Sequence, residues 1–205
     1  MSPVLAAHGV SVAPPKGFEG RVFRRPAAGE VAMASADGPA APPGEMPGTV
    51  AHVATIALPA DTGDFASSAV GDLGPDDVLV VLFEYDASAA GHGLFARAGM
   101  PRTLQPDDFS PSVMQRAIPG QAGCQFFFTE AGRAFCLYAV IGAYARRTAL
   151  AAKVSAVLAT VQISPRDAPA PTTSAPPTTA APTTSAAPAS TTTTPPTTTP
   201  TTTRP

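Results

Sequence analysis

The sequence predicts an α+β domain: a mostly antiparallel β-sheet with one long C-terminal helix packed on it, followed by a disordered Thr/Pro-rich tail. Three observations lead to this prediction. Apolar segments typical of strands precede the one segment with a clear helical period, so strands and helix are segregated along the chain. A strong hairpin signal lies just before that helix. The composition changes abruptly after residue 163.

The composition divides the 205 residues into a small domain, 1–163, and a tail, 164–205. The tail has 16 Thr and 11 Pro, and it lacks Val, Ile, Leu, Met and aromatic residues. Such a segment cannot bury a core, so we expect an extended, disordered chain. The remaining residues suffice for one ordinary core. No apolar run approaches the roughly 20 residues that span a bilayer, so we expect no membrane span.

The charge balance bears on the partners. The formal net charge is −2, with 13 Lys and Arg against 15 Asp and Glu. A mildly acidic chain is a poor candidate for nonspecific nucleic-acid binding, so we expect no nucleic-acid partner. Arg is preferred to Lys, and Asn and Trp are absent, a bias typical of a high-GC bacterium such as an actinobacterium. Without Asn there is no N-glycosylation sequon, and any glycan would be O-linked.

The first third of the chain predicts short strands. The alternation in Val10–Val12 and the pattern of Glu19–Arg24 each indicate a strand, and Pro14–Gly17 between them indicates a turn. We expect the second strand to pair back on the first as a hairpin. The segment 26–48 has many Pro, Gly and Ala residues and no aromatic residue, and we interpret it as a disordered loop.

The middle of the chain predicts the centre of the sheet. A strand is expected over Thr49–Leu58, ending at Pro59, and a short helix over Phe65–Val70 with Asp64 as its cap. The continuous apolar run Val78–Tyr85 is typical of a central strand covered on both faces. The next stretch, to Gly123, is mostly loop, in which Phe109 and Met114 are expected to plug into the core.

The clearest local signal is a hairpin formed by Cys124–Thr129 and Arg133–Gly142. The turn leaves three registers open. A turn at Ala131-Gly132 places Cys124 opposite position 139, and a three-residue loop beginning at Glu130 places it opposite 138. Only a loop over 129–131 places it opposite Cys136, and that loop leaves Gly132 unused, so we do not expect a disulfide.

The predicted C-terminal helix covers Arg146–Val161. Its apolar residues recur at the spacing of one helical face. They are Leu150, Val154, Val157, Leu158 and Val161. We expect this stripe to pack on the sheet.

Two segments are similar to the PsbP-like α/β/α sandwich group. The turn Pro14–Glu19 resembles that group's Pro-x-Gly-aromatic entry, with Phe18 where a Trp is often found. The aromatic strand 133–142 with the helical segment 146–163 resembles its closing strand and helix. The resemblance covers the two ends of the domain and contains no catalytic motif. It implies a non-enzymatic binding or assembly protein. The residue bias described above separately indicates an actinobacterial family.

The compartment is predicted from the two termini. Only four apolar residues, Val4–Ala7, precede His8, and no basic residue precedes them, which is not typical of a secretory signal. We therefore expect a cytoplasmic protein. The tail composition is typical of O-glycosylated stalks and favours the alternative, the cell envelope or secretion.

The sequence lacks the usual catalytic and metal-binding patterns. His8, His52 and His92 are far apart, and no pair has ligand spacing, so we expect no metal and no cofactor. Cys136 lies within an apolar strand, where a thiol is inert. Cys124 follows Gly123 at a strand start and is expected to be more accessible.

Four polar residues are candidates for binding. Arg116 and Gln121 lie in a Gly- and Pro-marked loop that could recognise a ligand. Arg146 and Arg147 lie in the first turn of the predicted helix, where the helix dipole does not favour cations. We therefore predict a non-catalytic binding or assembly module whose partner is a protein. The alternatives are a cell-envelope stalk protein, or an enzyme that uses Cys124.

Overall fold

The computed structural model describes residues 3–25, 48–60, 63–114 and 117–165. All of them belong to one compact unit, Met1–Ala168. The predicted loop 26–48, apart from Gly48, lies outside the described residues, as does the predicted tail from residue 166 onward. Their disorder and the role of the tail stay predictions.

Five strands form the main sheet. They are β3 (Glu19–Arg24), β4 (Thr49–Ala54), β5 (Val78–Glu84), β6 (Ala122–Glu130) and β7 (Arg133–Ile141). Their spatial order is β3-β4-β5-β7-β6, and every neighbouring pair is antiparallel. All residues of β5 are buried in the middle of the sheet. The predictions of a mostly antiparallel sheet and of a central strand covered on both faces are therefore confirmed.

A second, smaller sheet contains β1 (Leu5–Ala7), β2 (Val10–Val12) and β8 (Gln162–Ile163), in the order β1-β2-β8. The expected pairing of β2 with β3 is wrong. His8 and Gly9 have φ angles of 51° and 75° and form a two-residue turn, which folds β2 back on β1 instead. The longer β3 pairs along all six of its residues with β4.

The C-terminal helix, α2 (Arg147–Leu158), has 12 residues and follows a 3₁₀ turn at Tyr144–Arg146. It spans about three turns, so the expectation of a long helix is wrong. Its predicted apolar stripe is confirmed, since Leu150, Val154, Val157 and Leu158 are buried within the helix and Val161 just after it. The helix ends early because the chain turns into β8, which closes the small sheet.

Two further boundaries differ from the sequence prediction. Strand β4 ends at Ala54 rather than Leu58, because the Thr55 hydroxyl accepts a hydrogen bond from the Val78 amide (2.9 Å) and donates to the Asp77 carboxylate (2.8 Å). The short helix α1 (Ser67–Val70) has four residues, and Asp64 does not cap it. Ala66 precedes α1 with a φ of 52° and no side-chain cap.

The two faces of the main sheet are covered differently. One face, here the helix face, packs its side chains against α2 and the small sheet, and Phe109 is buried there. The other, the loop face, is covered by α1 and irregular segments that contribute Phe65, Leu73 and Met114. The predicted burial of Phe109 and Met114 is therefore confirmed. Only the loop face lacks a long regular element above it within the described residues.

The β6–β7 hairpin has the first of the three predicted registers. Its turn is Ala131-Gly132, with φ angles of 53° and 71°, and it places Cys124 opposite Ala139. Cys124 points to the helix face and Cys136 to the loop face, so both thiols are free and on opposite sides of the sheet. Cys124 is 1% exposed, and the expectation that it is accessible is wrong.

A buried ion pair joins the two sheets. The Arg133 guanidinium donates two hydrogen bonds of 2.8 Å to the Glu84 carboxylate. It also donates to the main-chain carbonyls of His8 and Ser164, each at 3.0 Å. Both carbonyls belong to the small sheet or its ends, so one side chain of β7 holds that sheet against the main one.

We expect Glu84→Gln to lower the free energy of unfolding by roughly 3–5 kcal/mol, because it leaves a buried, uncompensated guanidinium. Urea unfolding monitored by circular dichroism measures this change. The matched control is Asp76→Asn, which removes the ion pair between Asp76 and Arg146. Those two side chains are 59% and 50% exposed, and their pair should contribute at most about 1 kcal/mol. Equal effects of the two substitutions would contradict a structural role for the Arg133–Glu84 pair.

His52 on β4 should make stability depend on pH. Burial lowers the pKa of the His52 imidazole from its ordinary value of 6.5, and the positive charge of Arg21 on β3 lowers it further. The Asp64 carbonyl, 2.8 Å from Nε2, and the Asp64 charge oppose these effects only in part. The unfolded chain therefore takes up the proton first. The contribution of His52 is complete above pH 6.5 and is lost as the pH falls toward the folded-state pKa.

We therefore expect the free energy of unfolding to decrease between pH 7.5 and pH 5.5, with a slope from His52 of at most about 1.4 kcal/mol per pH unit. In His52→Gln this part of the slope should disappear. His92→Gln, at an exposed loop position, is the control and should retain the parent slope. Urea unfolding at a series of pH values tests this, and an unchanged slope in His52→Gln would contradict it.

Candidate ligand pocket on the loop face

The loop face contains a pocket of about 450 Å³. It lies above the β6–β7 hairpin, between α1 and the segment that precedes β6. Its lining residues are Phe65, Ser67, Ser68, Val70, Gly71, Val113, Met114, Ile118, Gln125 and Tyr138. The strands form its floor, and the irregular segments form its walls.

The floor presents two polar groups on adjacent strands. Gln125 of β6 and Tyr138 of β7 are directly opposite in the register, so their side chains lie side by side on the loop face. The Gln125 amide donates to the Cys136 Sγ at 3.3 Å. Burial raises the pKa of the Tyr138 phenol, which therefore stays protonated near neutral pH and can donate a hydrogen bond.

The first wall is the segment that leads into α1. Phe65 packs edge-on against the Tyr138 ring, with centroids 6.1 Å apart, and stacks on Phe83 of β5 at 5.1 Å. The left-handed conformation of Ala66 turns the chain between Phe65 and α1. This turn places the hydroxyl-bearing residues Ser67 and Ser68 at the pocket.

The second wall is the segment before β6. Met114 packs over the strand at Gly123, where a Cβ would lie 3.4 Å from the Met114 Cγ, an ordinary van der Waals distance. Gln121 is buried, and its amide donates to the main-chain carbonyls of Val70 (3.0 Å) and Leu73 (3.4 Å). One glutamine therefore ties the second wall to the end of α1.

The structure separates the predicted site residues. Gln121 lies behind the pocket and holds its two walls together. Arg146 forms an exposed ion pair with Asp76, and the Arg147 guanidinium lies 4.6 Å from the centroid of the Tyr144 ring. Neither of these arginines lines the pocket. Arg116 lies outside the described residues, and its role stays a prediction.

Sequence reasoning did not single out the pocket residues, although one signal was available. The register with a turn at Ala131-Gly132 places Gln125 opposite Tyr138, two polar groups on one face of an otherwise apolar hairpin. The serines of α1 gave no signal, because only the contact between α1 and the hairpin brings them near these groups.

The two thiols are poorly suited to nucleophilic catalysis. Burial raises the pKa of the Cys124 thiol to about 12 and that of the Cys136 thiol to about 11. The thiolate is the reactive form, and little of it exists at neutral pH. In the part of the chain that the structure describes, no group of three or more His, Cys, Asp or Glu side chains is arranged to hold a metal ion.

No protein-family model matches this chain, and no significant match was found among curated proteins or solved structures. The resemblance to the PsbP-like group and the cytoplasmic or envelope location therefore stay predictions. Over residues 3–25, 48–60, 63–114 and 117–165, no helix is both long and apolar enough to cross a membrane.

We expect both thiols to react with a disulfide reagent such as Ellman's reagent at least about 100-fold more slowly than a free cysteine at pH 8, because burial restricts access and disfavours the thiolate. The absorbance of the released thiol measures the rate, and the urea-unfolded chain is the control for intrinsic reactivity. A native thiol as fast as free cysteine, with Cys124→Ala abolishing that reaction, would instead support the enzyme alternative that uses Cys124.

Proposed function

We propose that this protein is a non-catalytic binding module and that the pocket on the loop face is its binding site. The observation that supports this function is the composition of the lining. Apolar side chains surround a few converging hydroxyl and amide groups, and the described lining residues carry no charged side chain. Its volume of about 450 Å³ falls in the range of about 300–1,000 Å³ typical of ligand sites.

The lining favours an uncharged ligand group with a large apolar part. An ionised group would lose its hydration there without gaining an opposite charge, which is costly. A neutral polar end can instead exchange hydrogen bonds with the Tyr138 hydroxyl or the Gln125 amide. Suitable groups are a phenol, a short alcohol, or an aromatic or aliphatic side chain of a partner protein.

The same lining supports binding over catalysis. None of the described lining residues is His, Cys, Asp, Glu or Lys, so the described lining has no imidazole, carboxylate or amine to act as a general base for its hydroxyls. The hydroxyls of Ser67 and Ser68 have no imidazole among the lining residues to activate them. Recognition is the chemistry that these groups can perform.

The proposal is tested with p-cresol, which has an aromatic body and one hydroxyl. We expect saturable binding by isothermal titration calorimetry, and we expect Ser67→Phe to weaken it at least about tenfold, because the new ring fills the pocket. The control is Ser88→Phe, at an exposed position away from the pocket. Equal affinities for both variants, or no binding to the parent protein, would contradict the proposal.

The polar end of the ligand is tested with Tyr138→Phe. Loss of one hydrogen bond should weaken p-cresol binding by about 2- to 13-fold. Toluene has the same body without the hydroxyl, and its affinity should change little. A parallel loss for both compounds would mean that the substitution acts on the shape of the pocket rather than on the hydrogen bond.

A further inference from the structure

Strand β6 is an edge of the main sheet. The two-residue turn makes Glu130 and Arg133 a hydrogen-bonded pair, so the residues of β6 alternate in bonding toward β7 and away from it. By this alternation the main-chain groups of Gly123, Gln125, Phe127 and Thr129 point away from the sheet. These four residues are the positions at which a further strand could pair.

Loops already occupy the two ends of this edge. Gly123 exchanges two main-chain hydrogen bonds with Ser110, of 2.9 and 3.1 Å. At the other end, the Thr129 amide donates to the Arg97 carbonyl and the Gly99 amide donates to the Thr129 carbonyl, both at 2.8 Å. The loops therefore complete the sheet at positions 123 and 129.

Between these ends lies an open window, defined as the outward main-chain groups of Gln125 and Phe127. Within the described part of the chain, no main-chain or side-chain group forms a hydrogen bond with these amides and carbonyls. Gln125 is also one of the residues that line the pocket. The open window and the pocket are thus neighbours on the same strand.

A second copy of this chain does not fit the window through its own β6. Symmetric antiparallel pairing about Phe126 would place position 129 of one copy opposite position 123 of the other. Ser110 already occupies the place beside Gly123, and Arg97 and Gly99 occupy the place beside Thr129. The window therefore admits only a short extended segment that turns away at both ends.

The positive charge of Arg97, close to the open window, indicates that the bound segment carries an acidic residue. The exposed Arg97 guanidinium lies 5.6 Å from the centroid of the Phe126 ring, on the helix face. None of the carboxylates in the described ranges forms an ion pair with Arg97. A segment residue opposite Phe126 would point to this face, so an acidic side chain there would complement Arg97.

We propose that the open window binds an extended segment of a partner protein by antiparallel strand addition, with the pattern apolar, acidic, apolar. The second apolar side chain lies opposite Gln125 and enters the pocket, so the proposal rests on the proposed function of that pocket. The first lies opposite Phe127, whose ring packs with Tyr85 and Phe95 at 6.2 and 5.4 Å.

The probe is the capped peptide Thr-Val-Glu-Phe-Thr, added to the full-length protein labelled with ¹⁵N. Hydrogen exchange by NMR should show protection of the Gln125 and Phe127 amides at saturating peptide. N-methylation of the peptide Phe removes the donor to the Gln125 carbonyl and directs a methyl group at that carbonyl, so it should weaken binding at least about tenfold. N-methylation of the peptide Glu is the matched control, since its N–H points away from β6, and it should have little effect.

Two substitutions at Gln125 test main-chain pairing on the protein side, and a third substitution, at Arg97, tests the charge preference. Gln125→Pro removes the outward amide without removing a bond to β7, and it should weaken peptide binding at least about tenfold. Gln125→Ala retains the amide and should bind much more tightly than the proline variant. Arg97→Ala should remove the preference for Glu over Lys in the peptide. If Gln125→Pro fails to fold, the comparison of the two N-methylated peptides still tests strand addition.

The outcomes separate this inference from the proposed function. Protection of both amides with loss on N-methylation of Phe supports strand addition. Equal binding of the two N-methylated peptides overturns it. It is also overturned if no peptide with Ala, Val, Leu, Met or Phe at the pocket position protects the amides at millimolar concentration. Continued p-cresol binding would then preserve the proposed function, and loss of both would end both proposals.

Discussion

The structure depends on the buried contact between Arg133 and Glu84. A guanidinium and a carboxylate that are 3% and 2% exposed would each be costly alone, yet the fork of Arg133 matches both carboxylate oxygens. The remaining donors bind the carbonyls of His8 and Ser164, and the Thr49 amide binds Glu84 at 2.9 Å. Every contact crosses between segments that are distant in sequence. The pair therefore fixes how the small sheet meets the main sheet.

This contact has a consequence for the position of the pocket. The small sheet and α2 are both held on the helix face, where they bury one contiguous core. The loop face is left to α1, which has four residues, and to irregular segments that Gln121 ties together. The pocket lies on this face, between α1 and the segment that precedes β6.

Local patterns predicted the elements whose signals are contained within one segment. The hairpin, the central strand β5 and the apolar stripe of α2 each have a period or turn that needs no distant partner. The errors all concern contacts between distant segments. Nothing near Glu19 indicates that it pairs with Ala54, and nothing near Cys124 indicates that its strand start is covered. Asp64 looked like a cap, but its carboxylate lies 3.5 Å from the Arg25 guanidinium and its carbonyl 2.8 Å from the His52 imidazole, and neither contact is visible in the sequence.

The candidate site was missed for a related reason. Arg116 and Gln121 in a loop, and Arg146 and Arg147 in the first turn of a helix, looked suited to binding, but the described lining residues of the pocket carry no charged side chain. Two of its polar groups lie on strands, where the register fixes Gln125 beside Tyr138, and Gln121 joins the two walls. Under the proposed function, the hairpin fixes where the polar end of a ligand lies, because the strand register holds these two side chains side by side.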